Sequence, residues 1–203
     1  MPPYNPLEKR NLAESLQRHI LAAAINPLSD AAARRATSGA GVYALYYNGP
    51  FADYAPMSEA NSKGKWALPI YVGKAIPAGA RVGSGIDSAL EATRSLGDRL
   101  SRHSRSIDET SNLDLADFSF RYLVIDDVWI PLGEAILIEN FQPLWNTVLS
   151  GFGSNPTGGP RAAQALSKWD TLHPGRSGAG VSPGSNVQAV RALVAAYFAS
   201  MTP

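Results

Sequence analysis

The chain of 203 residues contains no cysteine, which excludes a disulfide framework and a thiolate metal site. It also lacks an excess of either charge, because 18 Lys and Arg face 17 Asp and Glu. A nucleic-acid partner would therefore have to be held by local basic clusters and not by a global field. No run approaches the roughly 20 apolar residues of a membrane span, and Met1–Tyr4 does not begin a signal peptide. These absences predict a cytoplasmic protein with no membrane partner.

The composition favours one elaborated domain. With 45% hydrophobic residues the chain can bury one substantial core, and nothing in it demands a second. The order helix, strand, strand, helix, strand, helix predicts an α+β fold with a small antiparallel sheet of about three core strands. We expect a catalytic core at about 39–150, preceded by a helix at 7–25 and followed by a C-terminal extension at 151–203. Long inserted loops and the two terminal helices would flank the sheet.

Two short strands carry tyrosines that can meet. Residues 41–47 and 69–74 are rich in β-branched and aromatic residues, and each is followed by turn residues. Side chains alternate between the two faces of a strand, so Tyr43 and Tyr71 could approach each other across paired strands. Considered alone, both are equally typical of half-buried strand residues.

Two segments are basic. The irregular stretch 48–68 places Lys63 and Lys65 near aromatic residues, which suits a nucleic-acid backbone, although a surface flap over the core explains it equally well. A predicted helix at 95–107 puts Arg99 and His103 four residues apart and hence on one face. Its other basic residues are also typical of a solvated helix face.

A carboxylate stands near the start of an apolar helix. A third strand at 117–126 precedes a buried helix at 131–141 that contains Glu134. Glu134 is either a functional acid or a favourable charge for the helix dipole. Asn146 follows the helix after Pro-Leu-Trp, where it could simply act as a cap.

These residues together resemble the GIY-YIG nuclease superfamily. Gly41-Val42-Tyr43 and Tyr71-Val72-Gly73 match its two tripeptides with valine in place of isoleucine, and Arg99, Glu134 and Asn146 follow in the order of that family. The likeness extends to the branch of type II restriction endonucleases that cuts the palindrome CCGCGG, over residues 39–176. Besides the two strands, that branch is matched by the stretches 110–115, 143–146 and 173–176. Tyr43 and Tyr71 are further apart in the chain than in minimal members.

The resemblance implies a metal-dependent phosphodiesterase site. Glu134 would hold one Mg²⁺, or Mn²⁺ in its place, because a two-metal site needs bridging acids. Tyr43 would be the general base, with a pKa lowered by Lys74, Arg99 and His103. Arg99 would stabilise the phosphoryl charge, and His103 would shuttle a proton or contact a second phosphate. Tyr71 would orient water or phosphate, and Asn146 would orient the metal ligand.

The partner implied by the resemblance is double-stranded DNA. A homodimer would match a palindrome, with an interface at the helix around Leu12 and Leu16 or at the helix around Leu193. A protecting DNA methyltransferase would be the functional counterpart, without necessarily binding the chain. Two alternatives are a repair or homing nuclease and a DNA-binding module without catalysis. The basic residues expected to contact DNA are Lys63, Lys65, Arg81, Arg94, Arg102, Arg161, Lys168 and Arg176.

Overall fold

A four-stranded antiparallel sheet forms the centre of the fold. In this computed structural model the described residues are 8–76, 94–153, 165–177, 179–180 and 184–201. The strands β1 (Asn26–Pro27), β2 (Gly41–Tyr47), β3 (Pro69–Ala75) and β4 (Phe118–Val124) lie in the order β1-β4-β2-β3. The α+β prediction is confirmed, and the two-residue edge strand β1 is an addition that no local pattern indicated. Arg81 and Arg161 lie outside the described residues.

The central strand β2 is buried along its whole length. It pairs with β3 on one side and β4 on the other, and helices cover both faces of the sheet. Tyr43, Leu45 and Tyr47 belong to one apolar cluster, whereas Val42 and Ala44 belong to the cluster on the opposite face. Since both faces are covered, the strand is an almost continuous apolar run without alternation.

The helices form one layer on each face. On one side α1 (Lys9–Ala22) packs against α5 (Ile130–Phe141), and on the other α2 (Ala31–Ala36) packs against α4 (Ser95–Asp108). Gly97 allows the close approach of α2 and α4, because a Cβ there would lie 2.5 Å from the carbonyl oxygen of Arg34. Helix α4 also contacts the sheet, where His103 bonds Tyr43 of β2.

The insertion 48–68 is ordered structure and not an irregular loop. It contains α3 (Ala55–Asn61) between two single 3₁₀ turns, and the ring of Tyr54 inside it is completely buried. The amide of Asn61 bonds the carbonyls of Tyr47 and Leu68 at 2.9 Å and receives the amide proton of Leu68. Asn61 therefore closes the insertion against the two strands that it connects.

The C-terminal extension docks on the core through two of the motifs noted above. It follows α6 (Leu144–Thr147), and its described residues include α7 (Lys168–Leu172) and α8 (Val187–Met201). His173 is fully buried and bonds Asn112 at 3.0 Å, while the amide of Ser111 donates to the carbonyl of Pro174 at 2.9 Å. Within the part of the chain that the structure describes, no helix is long and apolar enough to cross a membrane.

Candidate active site

The two tyrosines lie on one face of neighbouring strands. Tyr43 is opposite Gly73 in the register of β2 and β3, and Tyr71 is opposite Leu45, so the rings are diagonal neighbours. Their centroids are 6.3 Å apart. A Cβ on Gly73 would collide with the phenol of Tyr43, with its Cζ only 2.5 Å away. The glycine of the second tripeptide therefore leaves room for the tyrosine of the first.

Tyr43 forms a buried pair with His103. Its hydroxyl lies 2.5 Å from Nε2 of His103, and both side chains are at most 2% exposed. Burial lowers the pKa of His103 well below its ordinary value, and the charges of Arg99, Arg102 and Arg176 act in the same direction. The imidazole is therefore neutral near pH 7, and Nε2 accepts the phenolic proton of Tyr43.

The pKa of Tyr43 moves in the direction opposite to the expected one. Burial raises it well above its ordinary value, and the neighbouring Tyr71 adds to the rise. Arg99 lowers it, but Arg99 does not outweigh burial. Lys74 is engaged with Glu134, and the neutral His103 acts as a hydrogen-bond acceptor. The expectation that cationic neighbours make Tyr43 acidic is wrong.

Arg99 lies beside both phenols. It lies close enough to Tyr43 and Tyr71 to lower the pKa of each against the effect of burial. Its Nη2 also donates to the carbonyl oxygen of Gly153 at 2.7 Å. A guanidinium presents several donors in a fixed fork, so Arg99 can serve the phenols and a phosphoryl oxygen from one place.

Glu134 comes from the other face of the sheet. Its Oε2 accepts a hydrogen bond from Nζ of Lys74 at 2.6 Å, and its charge raises the pKa of Tyr43 and Tyr71. Helix α5 begins at Ile130, so Glu134 lies in the second turn, where interaction with the helix dipole is weaker. Among the described residues no group of three or more His, Cys, Asp or Glu could hold a metal. Within the described part of the chain, the site thus offers one carboxylate, which helix α5 supplies and which bonds Lys74 of the edge strand β3.

Asn146 has a different role from the one expected. Its Oδ1 accepts from the amide of Val72 at 2.8 Å, and its Nδ2 donates to the carbonyl of the same residue at 2.9 Å. The side-chain amide of Asn146 thus makes the two hydrogen bonds that a further strand would make with the free edge of β3. We correct the expectation that it orients Glu134, because it holds the strand that carries Tyr71.

The basic residues divide into exposed and buried ones. Lys63, Lys65, Arg94 and Arg102 are exposed, and Lys168 is half-buried at the start of α7. Arg176 instead donates two bonds to the carboxylate of Asp170, at 2.8 and 2.7 Å. Its fork is occupied and mostly buried, which makes Arg176 a structural residue and does not fit the expected contact with DNA.

Two side chains near the site escaped sequence reasoning. The ring of Phe152 stacks on His103 at a centroid distance of 4.7 Å, and Asp170 holds Arg176. The second had a weak signal, because Ser167 followed by Asp170 is a helix-capping pattern. The first had none, since Phe152 lies in a glycine-rich stretch with no periodicity.

The comparison with family models identifies the family. The model described as the Eco29kI GIY-YIG domain matches residues 35–197, which is most of the chain. A comparison with curated proteins gave no match. The resemblance noted from the two tripeptides is confirmed, and the DNA substrate of the restriction enzymes in this family follows from it. The chain therefore belongs to the Eco29kI GIY-YIG family of restriction endonucleases, which are site-specific nucleases.

Proposed function

We propose that the chain is a type II restriction endonuclease that hydrolyses double-stranded DNA at a palindromic, GC-rich site. The observation that carries the proposal is the position of Tyr43, which bonds His103 and lies close enough to Arg99 and Glu134 for both charges to change its pKa. The motifs shared with the CCGCGG-cutting branch support that palindrome as the target. A DNA methyltransferase of the same specificity would be its functional counterpart.

The carboxylate of Glu134 fits one Mg²⁺. Mg²⁺ binds through one or two carboxylates and keeps several waters, which suits a site with a single acid. Lys74 bonds Oε2, and a monodentate ligand needs one oxygen, so Oε1 is the atom that would bind the metal. When bound, the metal acts as a Lewis acid on the scissile phosphate and stabilises the leaving oxygen.

His103 and Tyr43 would move the proton together. A free phenolate is unfavourable at Tyr43 because burial raises its pKa. The phenol can still take a proton from the attacking water if its own proton passes at the same time to Nε2 of His103. His103 is only 2% exposed, which favours this proton-shuttle role over contact with a second phosphate. The neutral imidazole is the form that the relay requires.

Arg99 and Tyr71 would bind the phosphate. The guanidinium of Arg99 donates hydrogen bonds to the oxygens on which charge develops, an interaction that strengthens in the transition state. Tyr71 is 8% exposed beside Arg99, so its hydroxyl can orient the phosphate or the water. Lys74 keeps the carboxylate of Glu134 on the same edge.

The exposed basic side chains would follow the DNA backbone. Each phosphate contact releases counterions, so neutralising Lys63, Lys65, Arg94, Arg102 or Lys168 should reduce the slope of log affinity against log salt by about one contact. Arg176→Gln should leave this slope unchanged, because the guanidinium is paired with Asp170. If neutralising one of these five residues leaves the slope unchanged, that residue does not contact the DNA backbone.

A homodimer on the palindrome is the arrangement that we infer for cutting both strands. One chain contains one Tyr43, Arg99 and Glu134 set, and a two-fold protein matches a two-fold target. Of the two helices considered as the interface, α1 uses Leu16 in the core, whereas α8 leaves Leu193 and Met201 about two-fifths exposed, at 43% and 40%. The α8 surface is therefore the favoured interface.

Digestion of a sequenced plasmid in Mg²⁺, with mapping of the fragment ends, tests activity and specificity together. We expect double-strand cuts at one palindrome, with linear DNA forming without prolonged accumulation of nicked circles. Glu134→Ala should abolish cleavage while binding stays near normal or tightens at low divalent concentration. Glu139→Ala, on the exposed side of the same helix, is the matched control. Full turnover by Glu134→Ala would remove the acid from the mechanism, and persistent nicked circles would argue against the dimer.

A further inference from the structure

A short turn connects the catalytic side chains to the C-terminal extension. Gly151, Phe152 and Gly153 follow α6 and lie between the phenols of the site and helix α7. One side of this turn contacts catalytic residues, and the other side contacts Arg176 and Ser167. We call these three residues the 151–153 turn.

The catalytic side of the turn touches three members of the site. Phe152 stacks on His103 with an interplanar angle of 23°, and its ring lies edge-on to Tyr71 at a centroid distance of 5.0 Å. The carbonyl of Gly153 accepts the 2.7 Å hydrogen bond from Arg99. A Cβ on Gly153 would lie 2.5 Å from the hydroxyl of Tyr71 and 3.1 Å from Cε1 of His103. The turn therefore packs against His103, the proposed proton acceptor, and is hydrogen-bonded to Arg99, the proposed phosphate-binding residue.

The other side of the turn is held by a buried ion pair. Nη2 of Arg176 donates to the carbonyl of Gly151 at 3.2 Å and to Oδ2 of Asp170 at 2.7 Å. The guanidinium also lies over the ring of Trp169, with Cζ 5.0 Å from the centroid. Asp170 is itself fixed, because its carboxylate accepts from Ser167 at 2.6 Å. The Asp170–Arg176 pair thus anchors Gly151 to a rigid helix.

We propose that Asp170 and Arg176 are positioning residues for cleavage, acting through the 151–153 turn on His103 and Arg99. This proposal rests on the proposed nuclease function and assigns a role to the His173–Arg176 motif of the extension. The guanidinium fork is essential, because one side chain must hold the carboxylate and the carbonyl together. A lysine keeps the charge but has no fork to span both partners.

Displacement of the turn should affect the chemical step more than binding. A misplacement of about 1 Å in a catalytic group can cost roughly a hundredfold in rate. Apart from Lys168, which opens α7, the described lysines and arginines that we propose to contact DNA lie outside the 151–153 turn and α7, so affinity should change little. A purely stabilising role would instead lower stability and leave the rate of the folded protein intact.

The test compares Arg176→Gln, Arg176→Lys and Phe152→Leu with a control ion pair. The control is Arg191→Gln, which breaks the partly exposed 3.2 Å contact between Arg191 of α8 and Asp53. For each full-length protein we would measure the single-turnover cleavage rate, the affinity for uncleaved duplex without divalent metal, and unfolding in urea. Nitrogen-detected imidazole spectra would follow the Tyr43–His103 hydrogen bond without requiring activity.

The expected result is a loss of rate without a loss of affinity. Arg176→Gln and Phe152→Leu should cleave about tenfold to a hundredfold more slowly, with duplex affinity within about twofold of the parent and a shifted His103 signal. Arg176→Lys should regain stability relative to Arg176→Gln while its rate stays low. Arg191→Gln should retain rate, affinity and His103 signal.

Several outcomes would overturn the inference. If folded Arg176→Gln and Phe152→Leu cleave at the parental rate, the turn does not position the catalytic side chains. An unchanged imidazole signal of His103 in these variants would likewise contradict the proposal. If Arg176→Lys recovers both stability and rate, the pair acts through charge and stability alone. If the parent protein itself does not cleave, the proposed function fails, and the imidazole spectra still decide whether Arg176 and Phe152 hold His103.

Discussion

Two buried tyrosine–histidine pairs lie in the described residues. One lies between the sheet and helix α4 at the candidate active site, and the other, the interior pair, lies between the insertion 48–68 and the C-terminal extension. Tyr43 meets His103 at 2.5 Å, and Tyr54 meets His173 at 2.6 Å. In both pairs burial lowers the pKa of the histidine, to about 3 for His173, so that each imidazole is neutral near pH 7. The two hydrogen bonds have almost the same length, but the two phenols have different neighbours.

The hydrogen-bond partners of the interior pair are neutral. Burial raises the pKa of Tyr54 well above its ordinary value, and the charge of Asp53 adds to the rise. The indole of Trp145 donates to the hydroxyl of Tyr54 at 3.0 Å, and Asn112 accepts from Nδ1 of His173. The side chain of Tyr54 has no exposed surface. Tyr43 is just as buried, so the difference is that the hydroxyl of Tyr54 receives one hydrogen bond and donates one within the core. The interior pair thereby fixes the C-terminal extension to the core.

The Tyr43–His103 pair has charged neighbours. Arg99 and Glu134 both lie close enough to change the pKa of Tyr43, and the ring of Tyr71 adjoins it. A tyrosine–histidine bond therefore does not by itself indicate catalysis. We propose that its location beside a cation, an acid and an edge strand is what lets the Tyr43–His103 pair take a proton from an attacking water.

The largest expected difference between the two pairs is the effect of replacing each histidine by glutamine. His103→Gln removes the proton acceptor of Tyr43, so the single-turnover cleavage rate should fall by roughly 10²–10⁴-fold. His173→Gln should destabilise the fold by roughly 2–4 kcal/mol, because buried hydrogen-bonding groups lose their partner, with cleavage by the folded fraction retained. A His103→Gln rate within tenfold of the parent would exclude the relay.

Acid should destabilise the protein through both pairs. The folded pKa of each histidine lies below its unfolded value of about 6.5, so the stabilising contribution is complete above that pH. As pH falls below about 6.5, each histidine is protonated in the unfolded chain and stays neutral in the folded one. The free energy of unfolding therefore falls by at most about 1.4 kcal/mol per pH unit for each histidine. Urea unfolding at pH 7, 6 and 5 measures this loss.

The cleavage rate should respond differently to acid. Because His103 stays neutral in the folded protein, the rate should show no fall centred near pH 6.5 while the fold persists. A rate profile with a midpoint near 6.5 would mean that His103 titrates like an exposed histidine. The relay would then need another acceptor.

Truncating Asn112 should give the smallest effect. Asn112→Ala removes the partner of Nδ1 of His173 and a 2.8 Å bond to the carbonyl of Leu172. The expected loss is about 1–3 kcal/mol in the free energy of unfolding, with an unchanged cleavage rate. Asn26→Ala is the control, since its side chain makes only an exposed local bond to Ala24. A loss of cleavage in folded Asn112→Ala would indicate that the interior pair takes part in catalysis.

The sequence indicated the elements that local patterns determine. The three longer strands, α4 and α5 lie close to their predicted positions, since alternation, helical spacing and turn residues identified them. The same patterns placed Tyr43, Tyr71, Arg99 and His103 on elements that the structure brings together. Family resemblance supplied the roles, which remain predictions.

What the sequence could not indicate depends on long-range partners. Asn146 bonds Val72 across 74 residues, and His173 bonds Tyr54 across 119. Arg176 is only six residues from Asp170, but the burial of this pair depends on how α7 packs on the core. Such partners decide whether an amide, an imidazole or a guanidinium is structural or functional, and no local spacing reveals them.

The most direct test of the account is the pair Tyr43→Phe and Tyr54→Phe, each examined for single-turnover cleavage in Mg²⁺ and for unfolding in urea. Each variant removes one buried hydroxyl that bonds a neutral histidine, so the local loss is matched. We predict that Tyr43→Phe cleaves at least about a hundredfold more slowly with its fold retained, whereas Tyr54→Phe is less stable by roughly 1–3 kcal/mol and cleaves normally when folded. Cleavage by Tyr43→Phe at the parental rate would contradict the assignment of Tyr43 as the base. If Tyr71→Phe is inactive at the same time, Tyr71 is the base instead.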